Sequence, residues 1–328
     1  MTVCPGCARL IHAEALTALA QTARESADRG DIPTALATWR EALGLLPAGS
    51  KQYQVISAKI TELGRNIPFG ALPAAPSATG PSAPNQPAGK KSAASRAAAG
   101  AGAIGVMLWK LKALLLGLTK GTTLLSMLLS LGVYWAIWGW KFALGLVLSI
   151  YVHEMGHVIA LRRYGFKATA PMFIPGLGAL IRLQQQVVNP REDAEIGLAG
   201  PIYGLGAAAV ALGLWWLTNQ PIFGAIAGVG AWINLFNLLP ISSLDGGRGF
   251  HAMSRAQKFL AAATVAGAWY YTEDGLLVLL AIVCAGRALS DKSVKSEDGG
   301  WKAAITYVVL VIILSAISTV RSRIGLSN

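Results

Sequence analysis

Apolar positions fall into two regimes along the chain. Between Ala13 and Arg65 they recur at helical spacing among charged residues. That pattern predicts a helix ending near Arg29-Gly30-Asp31, a second over Pro33–Leu46 and a third over Lys51–Leu63. From about residue 120 onward polar positions become scarce and long apolar runs take over. Spans are expected at Thr122–Trp140, Phe142–Leu161, Ile196–Thr218, Ile222–Leu239, Phe259–Tyr271, Gly275–Leu289 and Ala303–Val320, against the roughly 20 residues that a bilayer's hydrocarbon requires. The fifth and sixth runs are short and flank Glu273-Asp274, which predicts a tight helical hairpin or tilted, partly re-entrant pieces. The expected fold class is an all-α polytopic membrane protein with a small soluble helical domain at its N-terminal end.

The stretches around these regimes divide the chain further. Residues 1–12 carry Cys4-Pro-Gly-Cys7 and His12, a knuckle that supplies half of a zinc ribbon but lacks a second CxxC. Residues 13–66 form the helical domain, in which Gly30, Ala35, Trp39, Ala42 and Pro47 resemble a single tetratricopeptide repeat, although Leu19 stands where that pattern usually has Trp. One such repeat cannot bury its own faces, so it is expected to pack on the third helix, the membrane domain or another copy, and to serve protein contact. Residues 67–103 are rich in Pro, Ala, Ser and Gly and read as a flexible linker, with Lys90, Lys91 and Arg96 suited to an anionic membrane surface. The apolar stretch Ala103–Lys120, broken by Lys110 and Lys112, reads as interfacial. Residues 104–328 are the polytopic membrane domain.

Composition sharpens this division. The chain of 328 residues is 54% hydrophobic and only 13% charged, with a mean hydropathy of +0.50. Its formal charge of +12 is not a nucleic-acid signature, because the first 65 residues nearly balance and the excess lies in loops between apolar runs. With the N-terminal domain in the cytosol, Arg162, Arg163, Lys167, Arg248, Arg255 and Lys258 fall inside, while Lys141, Arg321 and Arg323 fall outside. The three cysteines give no disulfide framework, Cys284 reading as a packing residue. No basic-then-apolar leader opens the sequence, so the N-terminus is expected to stay cytosolic, in a multi-pass protein of the cell inner or plasma membrane.

One apolar run is interrupted by His153-Glu154-Met-Gly-His157. Four residues apart on a helix, His153 and His157 project from one face and can converge on a zinc ion. Glu154 is placed to accept a proton from water activated there. A charged side chain at mid-span costs about 2.5–3.5 kcal/mol on insertion scales, so three ionisable groups together call for a functional partner. A hydrolytic zinc site needs a third protein ligand and an open position. Asp245, Glu195 and His251 are candidates. Glu195, beside Arg191, reads as a first-turn carboxylate, and His251 as a solvated residue beyond the Gly-Gly-Arg turn.

The HExxH late in one span, Ala199-Gly200-Pro201 opening the next, and Asn237-x-x-Pro240-x-x-x-x-Asp245-Gly246 closing a later one resemble the site-2 protease family of intramembrane zinc metalloproteases. The resemblance covers about Phe142 to Arg248 (core 142–248). It implies a three-span catalytic core with extra spans, zinc held by His153, His157 and Asp245, and Glu154 as general base. It implies also that Asn237 helps hold the substrate backbone or the oxyanion, with Asn234 one helical turn earlier assisting. Pro171–Leu183, interrupted by prolines and glycines, reads as a β-like or re-entrant loop able to pair with an unwound substrate strand, or as a plain cytosolic loop. The expected activity is cleavage of transmembrane protein substrates within the lipid bilayer near the cytosolic face, in regulated intramembrane proteolysis. The rival readings are a non-catalytic membrane adaptor with a structural metal site and a proton or ion carrier. An intact Glu154 counts against the first; the second leaves the HExxH and Asp245-Gly-Gly pairing unexplained.

Overall fold

The computed structural model describes residues 12–47, 50–65, 67, 121–166, 171–175, 178–180, 187, 189–241, 244–290 and 300–323. The cysteine knuckle (Cys4, Cys7), nearly all of the linker and the interfacial stretch before residue 120 lie outside them.

Three helices form the N-terminal unit: α1 (Ala13–Asp28), α2 (Ile32–Gly44) and α3 (Lys51–Arg65). Gly30 at φ 78 turns the chain out of α1, and Asp31 caps α2 by accepting from the Thr34 backbone N–H. Ala23, Leu36, Trp39, Ala42 and Ile60 bury the faces between the three helices. The same cluster continues into Leu161, Tyr164, Phe166 and Ile196 of the membrane domain, so the unit packs on both its own third helix and that domain.

Arg40 fastens this docking. Its Nη2 lies 2.6 Å from Glu192 Oε2, its Nε donates to the Tyr164 carbonyl at 3.0 Å, and its guanidinium stacks 3.8 Å above the Phe166 ring. Burial pulls the Arg40 guanidinium below its ordinary pKa, and the Glu192 carboxylate opposes that pull. Gly165, at φ 71, touches the Leu36-Ala37 backbone where a Cβ would collide. Replacing Arg40 with alanine strands the Glu192 carboxylate, which is only 2% exposed. Such a loss costs about 3–5 kcal/mol. Faster amide hydrogen exchange across α2, with the membrane helices unchanged, is the expected outcome.

The membrane domain begins with α4 (Gly121–Trp138) and α5 (Trp140–Arg163), joined through Gly139 at φ 82. The loop after α5 contains a two-stranded antiparallel hairpin, β1 (Met172–Ile174) and β2 (Gly178–Leu180), pairing Phe173 with Ala179. This small sheet corrects the all-α expectation and agrees with a β-like loop. Phe173 is buried, and its backbone N–H donates to Ser126 Oγ of α4 at 3.0 Å. Then follow α6 (Pro190–Thr218), α7 (Pro221–Asn237), the short α8 (Asp245–His251), α9 (Arg255–Thr272), α10 (Gly275–Ser290), α11 (Gly300–Ser318) and the single turn α12 (Val320–Arg323). Helices α9 and α10 pack together as the expected hairpin.

Among the described residues, α5, α6 and α11 are long and apolar enough to cross a membrane, and 123–138, α7 and α10 are shorter apolar helices. Helix α6 starts six residues before the expected Ile196. Asn189 caps it, Pro190 occupies its first turn, and Glu192 and Asp193 complement the positive helix end. Its charged opening is buried rather than looped out. Helices α6, α7, α8, α9, α10 and α11 share one large apolar core, while α4 and α5 form a second with Phe173 and Ala225. At the end of the bundle away from the N-terminal unit, Trp135, Trp138, Trp140, Trp216, Tyr270 and Tyr271 are exposed. Such an aromatic fringe suits a membrane–water interface.

Candidate metal centre

Helix α5 carries His153, Glu154 and His157 on buried positions, each less than 10% exposed. One turn of helix separates the two histidines, and their Nε2 atoms lie 3.2 Å apart. The third group arrives from a different part of the chain. After α7 ends at Asn237, the chain turns through Pro240 and begins α8 with Asp245. Two contacts hold that turn. Tyr307 of α11 donates its hydroxyl to the Leu238 carbonyl at 2.7 Å, and Gly246 lies so close to that carbonyl that a Cβ could not fit. Asp193 of α6 then clasps α8, accepting from Arg248 Nε at 2.7 Å and pairing with His251 Nδ1 at 2.5 Å.

Asp245 is thereby brought to the histidines, with Oδ2 3.1 Å from His153 Nε2 and Oδ1 3.2 Å from His157 Nε2. These three residues are the one group of three or more His, Cys, Asp or Glu among the described residues that could hold a metal ion. Tetrahedral zinc with bonds of about 2.0–2.2 Å sets its ligand atoms about 3.3–3.6 Å apart. The observed spacings fall within a few tenths of an ångström of that range. Electrostatics points the same way. His157 Nδ1 faces the Ile196 carbonyl at 2.7 Å; a carbonyl only accepts, so this nitrogen carries the proton and Nε2 can present its lone pair inward. A lone pair facing a carboxylate and a second imidazole at low exposure repels both unless a proton or a metal cation lies between them.

Gly200 of α6 completes the cradle. A Cβ there would overlap His157 Nε2 and His153 Nε2, the atoms that face the ion position. The close approach to both imidazoles requires glycine at this position. Gly200→Ala is therefore expected to weaken zinc binding by more than the roughly 10–100-fold that loss of an outer partner costs. Equilibrium zinc titration of the purified variant, with its helix content checked by circular dichroism, reads this directly.

The other expected residues separate. Glu154 is buried and within electrostatic reach of His153, His157 and Asp245. Asn237 is half-buried at the last residue of α7. Asn234 is 3% exposed, and its polar atoms face His153 Nδ1 at 2.8 Å and the Gly230 carbonyl at 2.7 Å. Its amide is thus turned toward His153 and its own helix. Glu195 is no first-turn carboxylate, since α6 begins earlier; it lies buried with Arg191 Nε at 3.6 Å. His251 is exposed, as expected of a solvated residue, but it lies on a helix rather than in a loop. It closes α8 and bonds Asp193. His12 precedes α1 and stands outside the converging group.

The sequence comparisons meet this geometry at α5. Residues 141–221 match peptidase family M50. That M50 segment contains His153, Glu154 and His157, so the resemblance to site-2 proteases holds there, while Asp245 lies beyond it. Rip3 of Mycobacterium tuberculosis, a zinc metalloprotease by name, is 31% identical over 133 residues, covering 35% of this chain and 31% of its own length. Zinc metalloprotease MJ0392 of Methanocaldococcus jannaschii is 26% identical over 122 residues, covering 35% of this chain and 34% of its own. The chain thus spans about a third of the length of these relatives. No solved structure gives a significant match.

Sequence reasoning did not find Asp193, the Ile196 carbonyl or the close approach of Gly200 to both imidazoles. Only the Asn189-Pro190 capping signal, which moves Asp193 onto a helix, was available to find the first.

Proposed function

We propose that this protein is an intramembrane zinc metalloendopeptidase, cleaving transmembrane segments of membrane proteins near the cytosolic face. The observation that carries the reading is the convergence of His153, His157 and Asp245 beside Glu154 inside an apolar bundle. The M50 segment and the names of the two relatives support it. His153, His157 and Asp245 would hold the zinc. When bound, zinc acts as a Lewis acid and makes water acidic enough to lose a proton near neutrality.

The chain's own residues then divide the work. Glu154 accepts the proton from the attacking water and can return it to the leaving amine. Asn237 binds the substrate backbone or the developing oxyanion. A helical substrate ties up its carbonyls in its own hydrogen bonds, so it must unwind before attack. The β1–β2 hairpin, between α5 and α6, is placed to pair with such an extended strand.

Depth sets the cutting level. His157 and His153 precede Arg163 by six and ten residues, or roughly 9 and 15 Å along the helix. Basic residues at that end and aromatic residues at the other support a cytosolic N-terminal unit and an inner or plasma membrane location. The tetratricopeptide-like helices would then meet a protein partner in the cytosol, as part of regulated intramembrane proteolysis.

Reconstitution into vesicles with a panel of single-span substrates tests this reading. Cleavage that stops on chelation, resumes with zinc and leaves new termini within the cytosolic half of the span is the expected result. Cuts confined to extramembrane loops would overturn it.

A further inference from the structure

We infer that Asn234 is a positioning residue that fixes the ring orientation and tautomer of His153, and so sets the affinity of the site for zinc. The inference rests on the reading that this site binds zinc. It assigns Asn234 a role different from substrate contact.

The argument starts from the amide's two ends. Asn234 Nδ2 lies 2.7 Å from the Gly230 carbonyl, one turn back in α7. A carbonyl cannot donate, so the end facing it must be the NH2 group, and the amide has only one consistent orientation. Its Oδ1 then faces His153 Nδ1 at 2.8 Å. An amide oxygen only accepts, so His153 Nδ1 must carry the proton. In the neutral ring that a metal ligand requires, Nε2 then has the lone pair, and Nε2 is the atom that meets Asp245 and His157.

Packing locks the amide in place. Asn234 is 3% exposed, and Gly204 of α6 approaches it so closely that a Cβ would overlap the Asn234 amide. The close Gly204 backbone and the two hydrogen bonds together hold the amide in this orientation. His157 obtains the same service from the Ile196 backbone carbonyl, which no substitution of a side chain removes directly. Asn234 is thus the point at which this orienting layer can be altered by mutation. An outer partner that orients a ligating imidazole typically contributes 10–100-fold to metal affinity.

The test compares three proteins in detergent by competitive zinc titration, on the Glu154→Gln background so that self-cleavage does not intrude. Asn234→Leu keeps the volume and removes the acceptor; affinity is expected to fall about 10–100-fold. Asn234→Asp keeps an acceptor toward Nδ1, and affinity is expected to stay near that of the parent or rise. A purely packing role predicts the reverse order, because leucine suits an apolar helix face better than a carboxylate; equal or stronger binding by Asn234→Leu than by Asn234→Asp overturns the inference. If Asn234→Leu does not fold, histidine 15N NMR of the zinc-loaded parent decides alone. A protonated Nδ1 and metal-bound Nε2 on His153 is expected, and the opposite arrangement overturns the proposal. Absence of zinc from the parent itself would instead refute the zinc reading of the site.

Discussion

Glu154→Gln is expected to reduce cleavage of a single-span substrate by about 10²–10⁴-fold, the range that general acid–base groups contribute, while zinc stays bound. Glutamine matches glutamate in shape and cannot take a proton. Glu154 is buried next to the ligand set without belonging to it, so its removal should spare the metal. Zinc content and cleavage, measured on the same vesicles, separate the two effects. Loss of zinc along with activity would mean that Glu154 supports the site structurally. Cleavage at the parental rate would mean that another group takes the proton.

Asp245→Ala is expected to act one step earlier and remove the metal. Two imidazoles one turn apart would remain, and a two-ligand site lacks the three protein donors that a zinc hydrolase uses. The affinity loss should exceed the roughly 10–100-fold assigned to outer partners, and cleavage should vanish with it. The fold should survive, because α8 is still held by the Asp193 clasp to Arg248 and His251 and by Tyr307 on the Leu238 carbonyl. Zinc titration with hydrogen exchange of α8 checks both halves. Tight zinc binding by this variant would show that the third donor is some other group.

Much of this architecture can be read from sequence because local rules govern it. Apolar run length located the helices, of which α5, α6 and α11 are long and apolar enough to cross a membrane, and the four-residue spacing of His153 and His157 put both on one face wherever the helix packed. Helix α6 departs from the expectation because hydropathy alone began the span at Ile196, with Glu195 at its first turn and Glu192 and Asp193 left before it. Tertiary partners, Arg40 for Glu192 and Arg248 with His251 for Asp193, let those charges enter a buried helix. Asp245 could not be separated from Glu195 and His251 by residue type. The turn between α7 and α8, fixed by Tyr307 more than sixty residues away, makes that choice. Backbone groups such as the Ile196 carbonyl carry no residue signature at all. The role of Asn234 stayed hidden because a polar residue in an apolar helix announces only that it has some partner.

Zinc K-edge X-ray absorption on the Cys4→Ser, Cys7→Ser double variant tests the central claim most directly, since it removes the knuckle as a rival zinc site. The account predicts about one zinc per chain, surrounded by nitrogen and oxygen atoms at about 2.0–2.2 Å with the multiple-scattering pattern of two imidazoles. A protein that retains no zinc without its N-terminal cysteines, or whose zinc shows no imidazole scattering, would contradict it.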